Sequence, residues 1–570
     1  MATGSEVRVI LPTIEVLFND LQRLVGKSLP RDKDALTNIL AYIKGEVETI
    51  VGDELSIELK DGNRPDLWSV EGIARELKGA LGIETGLKEY KVEKEPVLEV
   101  LVDPKLQSIR PYIGCSIVKS VQIDDESIRE LMHLQDKLDQ TYGRKRRRTS
   151  IGFYRYELIH PPLHYKVTNP RDCEFVPLDR FEPMNLEEIL KDHPKGIEYG
   201  QIVSGFPEWP ILTDATNQVL SFPPIINSNT LGKISNGDQD ILVEVTGTDY
   251  QSVLNTLTIV TLSLADRGRE ILSSRISYPY GSVEPDKTPK LETRQLKISP
   301  RELNRLLGLN LKSTRIVELL KKARYDALDK GDLIEVTVPC YRMDIMHPID
   351  IMEDVAISYG FNNISPLWPD IVCTGELDPD EEYSNTIREI MMGLGFQEVL
   401  TFSLTDRENQ IEKMELDSMD LVEVTNPSNI HLTSLRGWLL PGLMAFLANN
   451  THALYPQKVY EVSDCVEFGQ GKNKTIREVR KLSAIVSHSE ASFSEIRAVA
   501  DALFSNIGLK PDLKELNHPS FIAGRACELM LEGRPIGMVG EFAPKVLENW
   551  RLSNPAVGFE IGIERLKKNP

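Results

Sequence analysis

Four carboxylates fall within eleven residues, at Asp344, Asp350, Glu353 and Asp354. The last three stand at i, i+3 and i+4 and so share one face of a helix. Clustered carboxylates repel one another in water. A hard cation such as Mg²⁺ relieves that repulsion and prefers oxygen ligands. No Cys or His pairs at zinc spacing compete for the assignment. A second reading needs no metal. Asp350-x-x-Glu353 is a capping-box-like pattern, Pro348 suits a first helical turn, and the macrodipole favours acids there. A third reading is Mg²⁺-dependent hydrolysis at this group. Its nearest candidate base is His347, which reads more simply as a neighbour of the helix cap.

The elements that must position these carboxylates are a strand ending near Asp344 and a helix beginning near Pro348. A partial echo lies upstream. Asn63-Arg64-Pro65-Asp66-Leu67 followed by Glu71-Gly72-Ile73-Ala74 resembles Tyr341-Arg342-Met343-Asp344-Ile345 followed by Glu353-Asp354-Val355-Ala356. Both read as Arg-x-Asp-apolar, then a helix carrying Glu-x-apolar-Ala. The first copy has a shorter connection and lacks matches to Asp350 and Asp354. The pattern predicts two related modules, of which only the second could hold a metal.

A chain of 570 residues suggests three or four domains. At 41% hydrophobic and 27% charged residues it has an ordinary globular composition. Its longest apolar runs, such as Leu254 to Leu264, are too short to cross a bilayer. The first residues, Met1 to Glu6, do not read as a secretory signal. Six scattered cysteines, with no close pairs, fit a reduced cytoplasmic setting. A net charge of −20 excludes nucleic-acid binding by the surface as a whole but leaves room for a local patch. Gly143-Arg144-Lys145-Arg146-Arg147-Arg148-Thr149 is such a patch, or else a solvated loop.

Periodicity divides the chain into mixed α and β blocks. Residues 1–90 hold an amphipathic stretch at Val16 to Val25, a strand at Leu55 to Leu59 and a helix at Glu71 to Leu81. Residues 91–97 are a charged linker. Residues 98–272 hold a helix near Ser127 to Gln140, the basic run, the strand Ile241 to Asp249 and a long helix from Tyr250. Glu244, flanked by Val243 and Val245, could mark a wet strand face. Pro279 to Leu291 reads as a linker. Residues 292–362 carry the acidic group. Residues 370–570 open with a helix to Gly393 and a strand from Glu398 to Leu404. The fold class is multidomain α+β.

Two long signatures now identify a family. Asn63 to Leu67 with Val70 to Arg75, and Pro339-x-x-Arg342-x-Asp344-Ile345 with Asp350 to Ala356 and Tyr359-Gly360-Phe361, resemble those of phenylalanine–tRNA ligase beta subunits of archaeal or eukaryotic type. The block order matches over nearly the whole chain. The resemblance implies Mg²⁺ at Asp344, Asp350, Glu353 and Asp354. It also implies a degenerate class II synthetase-like antiparallel-sheet domain at 370–570. Three departures argue that this domain does not activate an amino acid. Phe402 stands where the first class II motif expects Pro, Val459 where the second expects Arg, and Glu560 where the third expects Gly. A carboxylate there repels ATP phosphates, and the missing Arg removes a bidentate grip. The family places activation on a separate alpha subunit, within an α₂β₂ heterotetramer that takes ATP, L-phenylalanine and tRNA(Phe).

The 98–272 block is similar to the family's α/β editing module, which hydrolyses mischarged Tyr-tRNA(Phe). The matching positions are Arg144, Arg147, Leu212, Ser221, Asn227, Glu244 and Thr246. By this resemblance Glu244 senses the tyrosine hydroxyl, Asn227 and Thr246 assist, and the arginines hold tRNA phosphates. The alternative is a structural tRNA-binding scaffold with an inactive pocket.

Overall fold

The computed structural model describes residues 13–93, 95–280, 286–469 and 475–566. The chain divides into two compact units, 1–368 and 369–570.

Within the first unit, two blocks share one order of elements. Apart from short 3₁₀ turns, each runs strand, helix, helix, strand, strand, helix. The first is Thr13–Leu17, Phe18–Val25, Lys33–Leu40, Gly45–Val51, Glu54–Leu59 and Val70–Ala80. The second is Arg294–Ile298, Pro300–Leu307, Ser313–Lys322, Asp326–Asp329, Ile334–Val338 and Pro348–Tyr359. In each, the three strands form an antiparallel sheet with the third strand in the middle.

The internal bonds repeat as well. The first helix of each block stops at a left-handed glycine, Gly26 (φ 76°) and Gly308 (φ 66°), where a side chain would be strained. Beyond it, the amide of Leu29 donates to the Gln22 side chain at 2.9 Å, and that of Leu311 to the Asn304 side chain at 2.7 Å. Arg64 grips Asp66 with two bonds of 3.0 and 2.7 Å, and Arg342 grips Asp344 with two of 2.9 and 2.7 Å. The repeat suggested by two short motifs therefore extends over both blocks. The blocks touch where Gly79 packs on the backbone of Lys322. A Cβ at Gly79 would lie 2.2 Å from that carbonyl oxygen.

Between the repeats lies a ten-stranded sheet. Along its main path the order is Ile226–Asn227, Val219–Phe222, Trp209–Thr213, Leu163–Thr168, Leu98–Val102, Glu270–Ser277, Tyr112–Lys119, Ile241–Gly247 and Thr149–Arg155. The sheet curls so that its ends meet, since Arg155 N–H donates to Leu231 O at 3.2 Å. The helix Tyr250–Ala265, apolar on nearly every side, covers the strands Tyr112–Lys119 and Ile241–Gly247. No helix among the described residues is long and apolar enough to cross a membrane.

The second unit is a seven-stranded sheet in the order Gln397–Glu398, Gln457–Phe468, Ile476–Ser487, Ala556–Gly562, Arg534–Phe542, Phe521–Leu531 and Asp512–Glu515. All its pairings are antiparallel except the first. Helices Pro379–Gly393 and Phe493–Asn506 pack with it through one apolar cluster, and Leu440–Asn449 through another.

Local expectations need four corrections. The amphipathic stretch at Val16 to Val25 is not one element, because Val16 is paired with Leu55 in a sheet and the helix starts at Phe18. The strand expected over Glu398 to Leu404 is broken into Gln397–Glu398 and Leu404–Thr405, and Leu400 and Phe402 between them face solvent. The linker over Pro279 to Leu291 contains a strand, Asp286–Thr288, paired with Glu270–Ser277, while residues 281–285 lie outside the described residues. Asp344 lies in a turn beyond the strand Ile334–Val338. The Met1 to Glu6 segment, read as lacking a signal, also lies outside the described residues.

Candidate active site

The acidic group does not converge. Arg342 holds Asp344 and also donates to Asp354 at 2.6 Å. Tyr325 donates to the same Asp354 oxygen. Glu353 pairs instead with Lys44 of the first repeat at 2.7 Å. Asp350 caps its helix, accepting from the N–H groups of Met346 at 2.8 Å and His347 at 2.7 Å. His347 is the N-cap residue itself. Among the described residues no three His, Cys, Asp or Glu side chains are gathered as a metal ion needs. As placed, the four carboxylates do not fit one Mg²⁺. Each is satisfied by a cation of the chain or by backbone N–H groups.

A cavity of about 400 Å³ opens where the curled sheet meets itself. Ser221, Asn227 and Glu244 line it, together with Arg146, Ser150 and Lys195. Register explains the grouping. Ser221 and Asn227 are direct cross-strand partners, and Glu244 lies opposite both Cys115 and Gly152. Gly152 leaves room for Tyr154 and Glu244, since a Cβ would come within 2.3 Å of Tyr154 Oη and 2.6 Å of the Glu244 carboxylate.

Glu244 is buried, at 2% exposure, because its strand is laddered on both sides and its side chain points to the inner face of the curled sheet, beside Tyr154 and opposite Cys115. Its alternation with valines therefore does not mark a wet face. Tyr154 Oη donates to Glu244 Oε2 at 2.8 Å and lies 3.4 Å from Asn227 Oδ1. Glu244 Oε1 and Ser221 Oγ are buried without a hydrogen-bond partner. A buried orphaned atom in a residue that lines a cavity leaves a hydrogen-bonding site for a water or a ligand to fill. Burial pushes the Glu244 carboxyl up to about 7, against the opposing pull of the Tyr154 hydroxyl and the Arg110 charge.

The other expected residues fall outside the cavity lining. Leu212 is a core residue beneath the sheet. Thr246 is fully buried and takes its bonds from Arg110 and Ser150. Arg144 and Arg147 are exposed on the basic turn, and it is Arg146 that points inward. Arg146 donates to Ile225 O at 2.9 Å, pairs with Asp139 at 2.8 Å and lies 4.4 Å above the Tyr199 ring. Sequence reasoning missed Arg146, Tyr154, Arg110 and Lys195. Tyr154 had a usable signal, being two residues from Gly152 on one strand face. Nothing in a run of five cations singles out the inward one.

In the second unit Glu560 is buried and saturated. Its Oε2 accepts from Leu439 N at 2.8 Å and Leu440 N at 3.2 Å, at the start of the helix Leu440–Asn449. Its Oε1 lies 3.2 Å from Lys481 Nζ, which also donates to Gly437 O at 2.8 Å. Nearby, Arg436 pairs with buried Glu461 at 2.7 Å. The exposed Phe402 takes no part.

Two family models match the chain. The tRNA synthetase B5 domain covers residues 296–361, which is the second repeat, and the phenylalanyl tRNA synthetase beta chain CLM domain covers 364–563. The phenylalanine–tRNA ligase beta subunit of Thermococcus sibiricus is 38% identical over 563 residues, 98% of this chain and 99% of its own. That of Pyrococcus horikoshii is 39% identical over 564 residues, 98% of this chain and all of its own. The crystal structure of an N-terminal fragment of the P. horikoshii beta subunit superposes with a TM-score of 0.59 at 38% identity, covering 61% of this chain and all of the fragment. The chain belongs to the family of phenylalanine–tRNA ligase beta subunits.

Proposed function

We propose that this chain is the non-activating subunit of a phenylalanine–tRNA ligase, paired with a catalytic alpha subunit in an α₂β₂ assembly in the cytoplasm. Its own chemistry in this reading is the hydrolysis of mischarged Tyr-tRNA(Phe) in the cavity at Glu244. The observation that carries the reading is the divided state of the Glu244 carboxylate. One oxygen already accepts a phenolic hydroxyl, that of Tyr154, and the other is buried without a hydrogen-bond partner in a residue that lines the cavity. A substrate tyrosine offers a second phenol to that open oxygen. Phenylalanine would leave it unpaired, and a site built around a hydroxyl rejects the analogue lacking it strongly. Ser221 and Asn227 stand beside the same space, and a volume of this order suits a small ligand. The residues orient the ester, and a water attacks its carbonyl carbon, releasing tyrosine and free tRNA.

Activation of phenylalanine is assigned to the partner because the corresponding place in the second unit is occupied by Glu560, Lys481, Glu461 and Arg436 paired among themselves. The chain alone is expected to show no ATP–pyrophosphate exchange, and robust exchange without a partner would sink that division. Glu244→Ala is expected to lower Tyr-tRNA deacylation at least about 100-fold while leaving Phe charging by the complex intact. A wild-type chain that binds tRNA but never hydrolyses the ester would instead be a scaffold.

Mg²⁺ is proposed with a stringent condition and carries no step here. An ion taken up by all four carboxylates has to displace Arg342 from Asp344 and Asp354. Equilibrium dialysis with Mg²⁺ tests this: uptake abolished by Asp354→Asn supports it, and no uptake by the wild type removes it.

A further inference from the structure

We infer that Arg110 is a positioning residue of this cavity, tying the basic turn that carries Arg144 and Arg147 to the strand that carries Glu244 and Thr246. The inference rests on the editing reading above and deepens it, since it makes phosphate grip and hydroxyl recognition parts of one rigid body.

Arg110 is buried, at 2% exposure. Its guanidinium reaches three separate segments. Nε donates to Thr246 Oγ1 at 2.9 Å, and Nη2 donates to Thr246 O at 2.6 Å and Ser150 Oγ at 3.0 Å. Nη1 donates to Arg146 O at 3.0 Å and lies 3.4 Å from Arg147 O. Every one of these acceptors is neutral. A buried guanidinium without a contacting carboxylate is an expensive way to fill a core, so stability alone does not account for it. The planar fork of five donors does account for it, because no other side chain bridges three segments at fixed angles.

The turn it holds needs holding. Arg144, Lys145 and Arg146 adopt left-handed backbone in succession, with φ of 51°, 55° and 62°. Residues with a Cβ take that conformation at a cost and keep it only when their surroundings enforce it. Arg110 is bound to the carbonyls of Arg146 and Arg147, and the Asp139–Arg146 pair anchors the side chain at the same end of the run. The consequence is an alternation of direction, with Arg146 turned into the cavity and Arg144 and Arg147 turned out to solvent. The neighbouring acceptors on Thr246 lie two residues along the strand from Glu244. One guanidinium thereby sets the spacing between the outward cations and the recognising carboxylate.

The test uses the full chain and tRNA(Phe), with binding measured across a salt series. Each phosphate contact contributes about 0.7 to the slope of log affinity against log salt. Removing the cations in Arg144→Gln/Arg147→Gln is expected to lower the slope by about 1.4. Arg110→Lys keeps the charge and loses the fork. It is expected to lower the slope by about 1 with both outer arginines present, and to cost Tyr-tRNA deacylation about 30-fold through misplacement. Added to the double variant, it should lower the slope no further. Ser150→Ala deletes one acceptor, leaves Arg110 in place and should move both readouts the same way by less. It decides the matter if Arg110→Lys does not fold. A folded Arg110→Lys with the wild-type slope and rate overturns the inference, as does a wild-type result for Ser150→Ala where it is the deciding variant. A wild type without deacylase activity would overturn the editing reading, and the slopes would still judge Arg110.

Discussion

Glu244 and Glu560 are both buried glutamates on a central strand of a sheet, and they are in opposite states. Glu560 spends one oxygen on two backbone N–H groups and the other on Lys481. Glu244 spends one oxygen on Tyr154 and leaves the other buried without a hydrogen-bond partner. The first arrangement is what a structural carboxylate requires, because a buried charge is tolerated when paired and fully bonded. The second leaves one oxygen that no group of the chain satisfies. Saturation, more than burial or charge, distinguishes the two carboxylates.

The largest effect should come from the saturated member. Glu560→Ala strands the Lys481 charge and two helix-start N–H groups, and should cost the second unit about 3–5 kcal/mol in denaturant unfolding. A loss below about 1 kcal/mol would break the contrast. Next comes the pH dependence of the open member. The folded Glu244 carboxyl sits at about 7, above its usual 4.5, so the folded state holds the proton more tightly than the unfolded one. Its proton-linked stability is therefore fully present below 4.5 and is lost as pH rises through 7, by on the order of 3 kcal/mol. Glu244→Gln should abolish that loss and be more stable than wild type at pH 9, as read by urea unfolding at pH 5 and pH 9. The smallest effect sharpens the comparison. Ser221→Ala removes a hydroxyl that has no partner, so stability should stay within about 1 kcal/mol of wild type while Tyr-tRNA deacylation falls. A large destabilisation would mean that Ser221 is structural after all.

The lengths and types of most elements were legible from period and caps. The strand at Leu55 to Leu59 and the helices at Glu71 to Leu81 and from Tyr250 lie within a residue of where the pattern puts them. The repeat was legible further than it was read. Leu21-Gln22-Arg23-Leu24 with Gly26 and Leu29 runs parallel to Leu303-Asn304-Arg305-Leu306 with Gly308 and Leu311, and the amide brace shows why those positions agree. The candidate site was legible in kind and not in detail. Ser221, Asn227 and Glu244 meet across strands distant in the sheet order, which only its curl brings together. Glu244 between valines looks the same to a reader of period two whether its strand is half-exposed or covered. Arg110 carries no local signal, because its partners lie 36 to 136 residues further along the chain. The four carboxylates show the reverse difficulty. Their spacing is right for one cation, but the arginine two positions before Asp344 claims two of them.

The contact at Gly79 has a consequence for how such a chain can change. The two repeats lie against each other although the whole cavity-bearing block separates them in sequence. That block leaves and re-enters side by side, with Glu93 N–H bonded to Ile271 O and Val97 N–H to Ser273 O. Its two ends share one doorway, and beyond it the block packs on the first repeat through a common apolar core and the pairs of Arg267 with Asp20 and Glu71. Ends already held together make the length of the excursion cheap, since each doubling of a closed loop adds only about 0.6 kcal/mol. The parts of the block away from that shared core can lengthen or shrink over generations while the repeats keep their shape.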